Sequence, residues 1–136
     1  KPALFCGDTL FNAGVGRCDL GGAPEIMYET FVEQFYPLAG EVRIFPGHNY
    51  IENNLQFTLD REPDNQSAQS LCAQFKAGLS AESYVSTIGV EREINVFFRL
   101  NQAQVRLGIA ASLGTDVEKL DDQSTFVGLR RMRDKW

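Results

Sequence analysis

The stretch "IFPGHNYIENN", residues 44–54, decides how this chain is read. A β-branched and aromatic run enters Pro46-Gly47, the single histidine follows as His48, and a polar stretch able to open a helix comes next. Pro-Gly is a turn signal, and a glycine before the histidine frees the backbone to lift the imidazole off the end of a strand. That is how a fold presents a metal ligand or a catalytic base. One imidazole does not make a metal site, so partners for His48 must come from elsewhere.

Upstream, "ALFCGDTLF" (3–11) is an apolar run broken by Gly7-Asp8, which predicts a buried strand ending in a functional turn. "NAGVGRCDLGGA" (12–23) is a glycine-rich loop. Pro24 suits a first helical position with Glu25 behind it, and Met27, Phe31 and Phe35 recur at four-residue steps. The spacing predicts an amphipathic helix over 24–38. "EVRIFPG" (41–47) reads as a second strand and 49–60 as a second helix. The first 60 residues therefore run strand, loop, helix, strand, helix.

Downstream, "REPDNQS" (61–67) is a turn-rich hinge, and the composition changes after it. Ala68, Leu71, Cys72 and Phe75 form a helical stripe ended by Gly78. "INVFFRL" (94–100) passes for a strand by propensity, although short apolar runs are ambiguous. Asn101 with Gln104 marks a capped helix start that stops at Gly114, and Thr115 with Glu118 repeats the capping-box spacing. Ser124 caps a last helix carrying Phe126, Leu129 and a basic tail. The second half is expected to be mainly helical.

Composition bounds the rest. A chain of 136 residues, 43% hydrophobic and 23% charged, has the size and balance of a globular domain with a real core. The net charge of −5 argues against broad nucleic-acid binding. No apolar run approaches the roughly 18 residues of a membrane span, and no targeting segment is visible. Cys6, Cys18 and Cys72 are odd in number and lack C-x-x-C spacing, which favours thiols in a reducing compartment and makes cytoplasm the expectation. Cys18, in the glycine-rich loop, is a candidate reactive thiol. The chain enters a strand almost at once and has no initiator Met, so it is expected to be the later part of a longer protein.

Taken singly, the chemical candidates have ordinary readings. Asp8 reads as a turn or cap residue, His48 as a hydrogen-bonded structural histidine, and "LRRMRDKW" (129–136) as a solvated helix face. Taken in order, "GDTLFNAGVGR" (7–17), "FPGHNYIENNLQFTLDREPDN" (45–65), "EREINVFFRL" (91–100) and "FVGLRRMRDKW" (126–136) resemble the hydroxyacylglutathione hydrolases, also called glyoxalase II, of the metallo-β-lactamase superfold.

The resemblance implies an α+β architecture. Residues 1–65 would be the later half of a metallo-β-lactamase αββα sandwich, truncated at its start, and 66–136 a mainly helical, glutathione-binding domain. It implies two divalent metal ions, zinc with iron or manganese as alternatives, held by an H-x-H-x-D-H cluster and a further histidine that this chain lacks. Asp8 matches the bridging aspartate and His48 the final histidine. Tyr50, Arg17, Arg130 and Arg133 match residues that contact the glutathione portion of the substrate. Asp19 departs from the pattern, where tyrosine is common, and a carboxylate there would repel an anionic thiol. The implied reaction is hydrolysis of S-(2-hydroxyacyl)glutathione to glutathione and a 2-hydroxy acid, with the present residues inactive alone. An exposed apolar sheet face should await the missing N-terminal half or a second copy; neither nucleic acid nor membrane is an expected partner. "GRCDLGG" (16–22) keeps an iron-dependent persulfide dioxygenase open as an alternative, and a non-catalytic binding or assembly fragment is another.

Overall fold

The computed structural model describes residues 2–18 and 22–136. In chain order they form β1 (Ala3–Gly7), β2 (Leu10–Phe11), β3 (Gly14–Val15), α1 (Pro24–Thr30), β4 (Arg43–Pro46), α2 (Ile51–Arg61), α3 (Gln66–Lys76), β5 (Ser86–Thr87), α4 (Ile88–Ile94), α5 (Ala103–Leu113) and α6 (Asp122–Lys135). Strands β1 and β4 pair in parallel, β5 adds antiparallel to β4, and β2 and β3 make a separate hairpin. Parallel neighbours need a long crossover, which residues 8–42 supply with α1. The architecture is α+β, with its second half mainly helical as expected. The two sheets, of three and two strands, are too small to make a sandwich by themselves.

The core is helix-centred and aromatic. Phe31, Phe97 and Phe126 are fully buried, with ring centroids 5.2 Å apart for Phe31–Phe126 and 5.1 Å for Phe97–Phe126. Tilted and edge-on contacts of this kind add about 0.5–1.5 kcal/mol each beyond burial. The same core takes in Cys6 and Ile44 from the early strands and Val105, Ile109 and Leu129 from the late helices. The turn at 62–65 is tied down rather than loose: buried Glu62 accepts from Arg99 Nε at 2.7 Å and Nη2 at 2.9 Å, and Asn65 caps α3.

Several local expectations are corrected. The 24–38 helix keeps its Pro24 start, but α-helical bonding ends at Thr30 and a π-helical turn carries Phe31–Phe35 inward. "INVFFRL" is not a strand. Helix α4 ends at Ile94, and the Asn95 side chain accepts from Phe97 N at 3.0 Å to start a 3-10 turn over Val96–Phe98. The aromatic residues that suggested a strand are there to be buried against helices, which β-propensity does not distinguish from burial in a sheet. Helix α5 starts behind Gln102 without a side-chain cap, yet it stops in left-handed Gly114 (φ 66°) as predicted. No cap forms at Thr115–Glu118; Asp116 instead precedes one 3-10 turn. Helix α6 is capped by Asp121, and Ser124 sits at its third position: Ser124 N donates to Asp121 Oδ1 (2.7 Å) and Asp121 N to Ser124 Oγ (2.9 Å).

Candidate active site

Because β1 and β4 are parallel and adjacent, their C-terminal ends share one edge, with Gly7 in register with Pro46. Asp8 and His48 leave that edge together, and Asp8 Oδ1 lies 2.8 Å from His48 Nδ1. Both side chains are open to solvent, at 70% and 55% exposure. Gly47 permits the approach, although not by an unusual backbone angle. A Cβ on Gly47 would stand 2.9 Å from Asp8 Oδ1, while its N–H donates to Gly7 O at 2.8 Å. The Tyr50 ring stacks on His48 (5.5 Å, 11°), and Phe11 meets both rings edge-on.

A carboxylate and an imidazole side by side suit a divalent cation as part of its shell. They do not close a four-coordinate site, and no group of three or more His, Cys, Asp or Glu gathers among the described residues. The donors fit a share of a metal centre.

Next to this pair opens a cleft of about 500 Å³ whose lining includes Phe11, Arg17, Tyr50, Arg130, Arg133 and Trp136. The four residues matched to substrate contact thus lie around one space, although they are spread from position 17 to 133. Helix α6 carries Arg130 and Arg133 on one face through their i, i+3 spacing. Arg133 lies over the Trp136 ring at 4.9 Å and near Phe57 at 5.9 Å, while Trp136 Nε1 donates to Asp60 Oδ2 at 2.6 Å. Burial, and then the charge of Arg130, lowers the Arg133 pKa. No hydrogen-bond acceptor among the described residues engages its guanidinium. Asp19 lies outside the described residues.

Arg130 differs sharply from its neighbour. It is only 3% exposed, Nη1 donates to Val15 O (2.9 Å) and Gly16 O (2.8 Å), and Nε donates to Asp134 Oδ1 (3.1 Å). With Asp134 2.8 Å from Nη2 as well, most of its five N–H groups face acceptors within the protein.

Sequence reasoning missed the residues behind the cleft. Ala13 occupies the left-handed region (φ 59°), a conformation that favours glycine. Its N–H donates to Glu91 Oε2 at 2.8 Å, Asn54 Nδ2 donates to Asn12 O at 3.1 Å, and Asn95 Nδ2 donates to Gly14 O at 3.2 Å. Glu91 is fully buried and also accepts from Ser86 Oγ (2.7 Å) and Asn95 Nδ2 (2.8 Å). Burial pushes its carboxyl up to about 7, against those hydrogen bonds. No local signal marked these residues, since three of the contacts join positions 42, 78 and 81 apart. Cys18, the candidate reactive thiol, is buried, with Sγ 3.8 Å from Met27 Sδ, and none of the three cysteines forms a disulfide. No helix among the described residues is long and apolar enough to cross a membrane.

A family profile described as hydroxyacylglutathione hydrolase C-terminus matches residues 49–136. The chain is 49% identical to a protein named hydroxyacylglutathione hydrolase from Nitrosococcus oceani, covering 99% of this chain and 51% of that one. Proteins of the same name from a Polaromonas species and from Anaeromyxobacter dehalogenans are 43% and 37% identical, over 100% and 97% of this chain and 52% of each relative. The chain spans about half the length of the curated relatives it matches. The matched segment holds Tyr50, Arg130 and Arg133 of the cleft lining, and on this match the chain belongs to the hydroxyacylglutathione hydrolase family.

Proposed function

We propose that these residues form the substrate cleft and one edge of the metal centre of an S-(2-hydroxyacyl)glutathione hydrolase, which releases glutathione and a 2-hydroxy acid. The observation that carries this reading is the gathering of Arg17, Tyr50, Arg130 and Arg133 around one cleft beside Asp8 and His48. Guanidinium groups suit carboxylates, and glutathione carries two. Arg133 would meet a carboxylate from its aromatic seat on Trp136, Tyr50 would present its ring and hydroxyl beside His48, and Arg17 would add charge to the same cleft. Holding the thiol in this way places the thioester carbonyl toward Asp8 and His48.

Two divalent cations, zinc or else iron or manganese, supply water activation and Lewis acidity when bound. Asp8 would bridge them and His48 would hold one, with the remaining ligands from the portion of the relatives' length that this chain does not span. We assign residues 1–65 to the metal-bearing domain and 66–136 to the helical, glutathione-binding one. The outer sheet face, where Phe5 is 82% exposed and stacks on Phe45 at 5.3 Å, suits contact with that portion or a second copy. A Phe5→Lys variant should sediment with less self-association than the unaltered chain if this face makes the contact.

A persulfide dioxygenase, raised by the "GRCDLGG" loop, is not favoured, since the helical segment matches the hydrolase C-terminus. The decisive experiment is turnover of S-lactoylglutathione by the full-length protein. Lactate and glutathione in equal yield are expected. Sulfite from glutathione persulfide, with no thioester turnover, would sink the reading.

A further inference from the structure

We propose that Trp136 is a positioning residue: its indole face seats the Arg133 guanidinium in the cleft, and Asp60 tethers the indole. The inference rests on the hydrolase reading and deepens it. Arg133 and Trp136 stand three apart where α6 ends, so the indole folds back to the guanidinium, whose Cζ lies 4.9 Å from the ring centroid. Both residues line the cleft. Two further groups fix the indole. Phe57, 1% exposed, meets it edge-on at 5.5 Å and 80°, and Asp60 Oδ2 accepts from Nε1 at 2.6 Å. Those two groups leave one turn of α2, the helix that begins directly behind Tyr50.

The geometry says what the seat is for. Burial and the like charge of Arg130 both disfavour the Arg133 cation. A carboxylate partner would offset this and take up N–H groups in doing so. An aromatic face attracts the charge and takes none, so the donor fork stays open to a ligand. An arginine side chain left free spreads over many rotamers, and ordering it on binding weakens affinity. The seat removes that loss in advance. It also fixes where the fork stands. Helix α2 has Tyr50 at its start, stacked on His48, and Asp60 ten residues on, about 15 Å along its axis. One rigid helix thus spaces the Arg133 seat from the Asp8–His48 edge.

The test uses the full-length protein and S-lactoylglutathione. Trp136→Leu keeps apolar bulk and loses the π face. A side chain that only packs tolerates this change. A seat does not, and KM should rise about fivefold with kcat within about twofold. Trp136→Phe restores a ring face and should bring KM back within about twofold of wild type. The Trp136→Leu, Arg133→Ala double variant should have the KM of Arg133→Ala alone. Wild-type KM in Trp136→Leu, or multiplicative effects in the double variant, overturns the proposal. Proton NMR supplies a readout that needs no substrate: the indole ring current should shift the Arg133 side-chain protons upfield, and Trp136→Leu should abolish that shift. Unshifted Arg133 protons in the wild type overturn the proposal even if the thioester is the substrate. The shift in a protein that never hydrolyses thioesters sinks the functional reading and leaves the seat standing. Should Trp136→Leu not fold, Asp60→Ala, at an exposed position, frees the indole without removing it. It should reduce the shift and raise KM about twofold, and no change in either overturns the proposal.

Discussion

The strand edge and the helical cleft solve opposite problems. At the edge, Asp8 and His48 stand in solvent and rely on each other, an aromatic stack and a close glycine contact for position. Behind the cleft, Glu91, Asn95, Asn54 and Arg130 are buried, and each makes bonds that would be costly to lose. A buried polar group left unpaired costs about 1–3 kcal/mol, whereas exposed substitutions usually stay within ~0.5 kcal/mol. Chemistry can therefore be removed from the edge with little effect on folding. The buried residues behind the cleft cannot be altered without disturbing the fold.

The largest expected difference is between the isolated 136-residue chain and the full-length protein. The chain alone should show no S-lactoylglutathione turnover and weak zinc binding, because two ligands do not close a site. Turnover with stoichiometric zinc in the isolated chain would erase the contrast. Next, in full-length protein, Asp8→Ala should lower the content of both metals, while His48→Ala should lower one, by elemental analysis. Neither should shift the melting temperature of the isolated chain measurably, since both side chains are exposed. Full dinuclear occupancy in Asp8→Ala would show that it is no bridge.

Within the cleft, the proposed reading has Arg133→Ala raise KM about ten- to a hundred-fold and spare kcat, because a contact to the glutathione portion would be remote from the reacting carbonyl and equal in ground and transition states. Arg133→Lys should cost less, since charge survives without the fork. A fall in kcat at constant KM would move Arg133 into the chemistry.

The smallest effect sharpens the buried side of the comparison. The Glu91 carboxyl moves from its ordinary 4.5 to about 7 on burial, with Ser86, Asn95 and the Ala13 N–H bonded to it and Cys6 and Tyr84 coupled to its charge. The folded state thus holds this proton where the unfolded chain has released it. The stability it contributes is fully present below pH 4.5 and lost as pH rises through about 7. Thermal unfolding of Glu91→Gln, which keeps an oxygen acceptor for Ala13, should lack that slope. An identical pH profile in the two proteins would mean that the Glu91 carboxyl titrates alike in the folded and unfolded chain.

Read alone, the sequence determined what acts over a turn or two. Pro24 opens α1, Pro46-Gly47 ends β4 before a helix, and Gly114 closes α5, because restricted or permissive φ angles operate on the residue itself. Resemblance in ordered motifs also selected Asp8, His48, Arg17, Tyr50, Arg130 and Arg133 as candidates. Where several of these meet depends on parallel strand pairing, which brings Asp8 and His48 together across 40 positions. The difference between Arg130 and Arg133, three residues apart on one helix, was invisible in composition and spacing alike. Only tertiary packing sets the carbonyls of Val15 and Gly16, 115 and 114 positions away, against one guanidinium while the other rests on an indole. Burial decides which polar groups must find partners, and burial is a property of the whole fold.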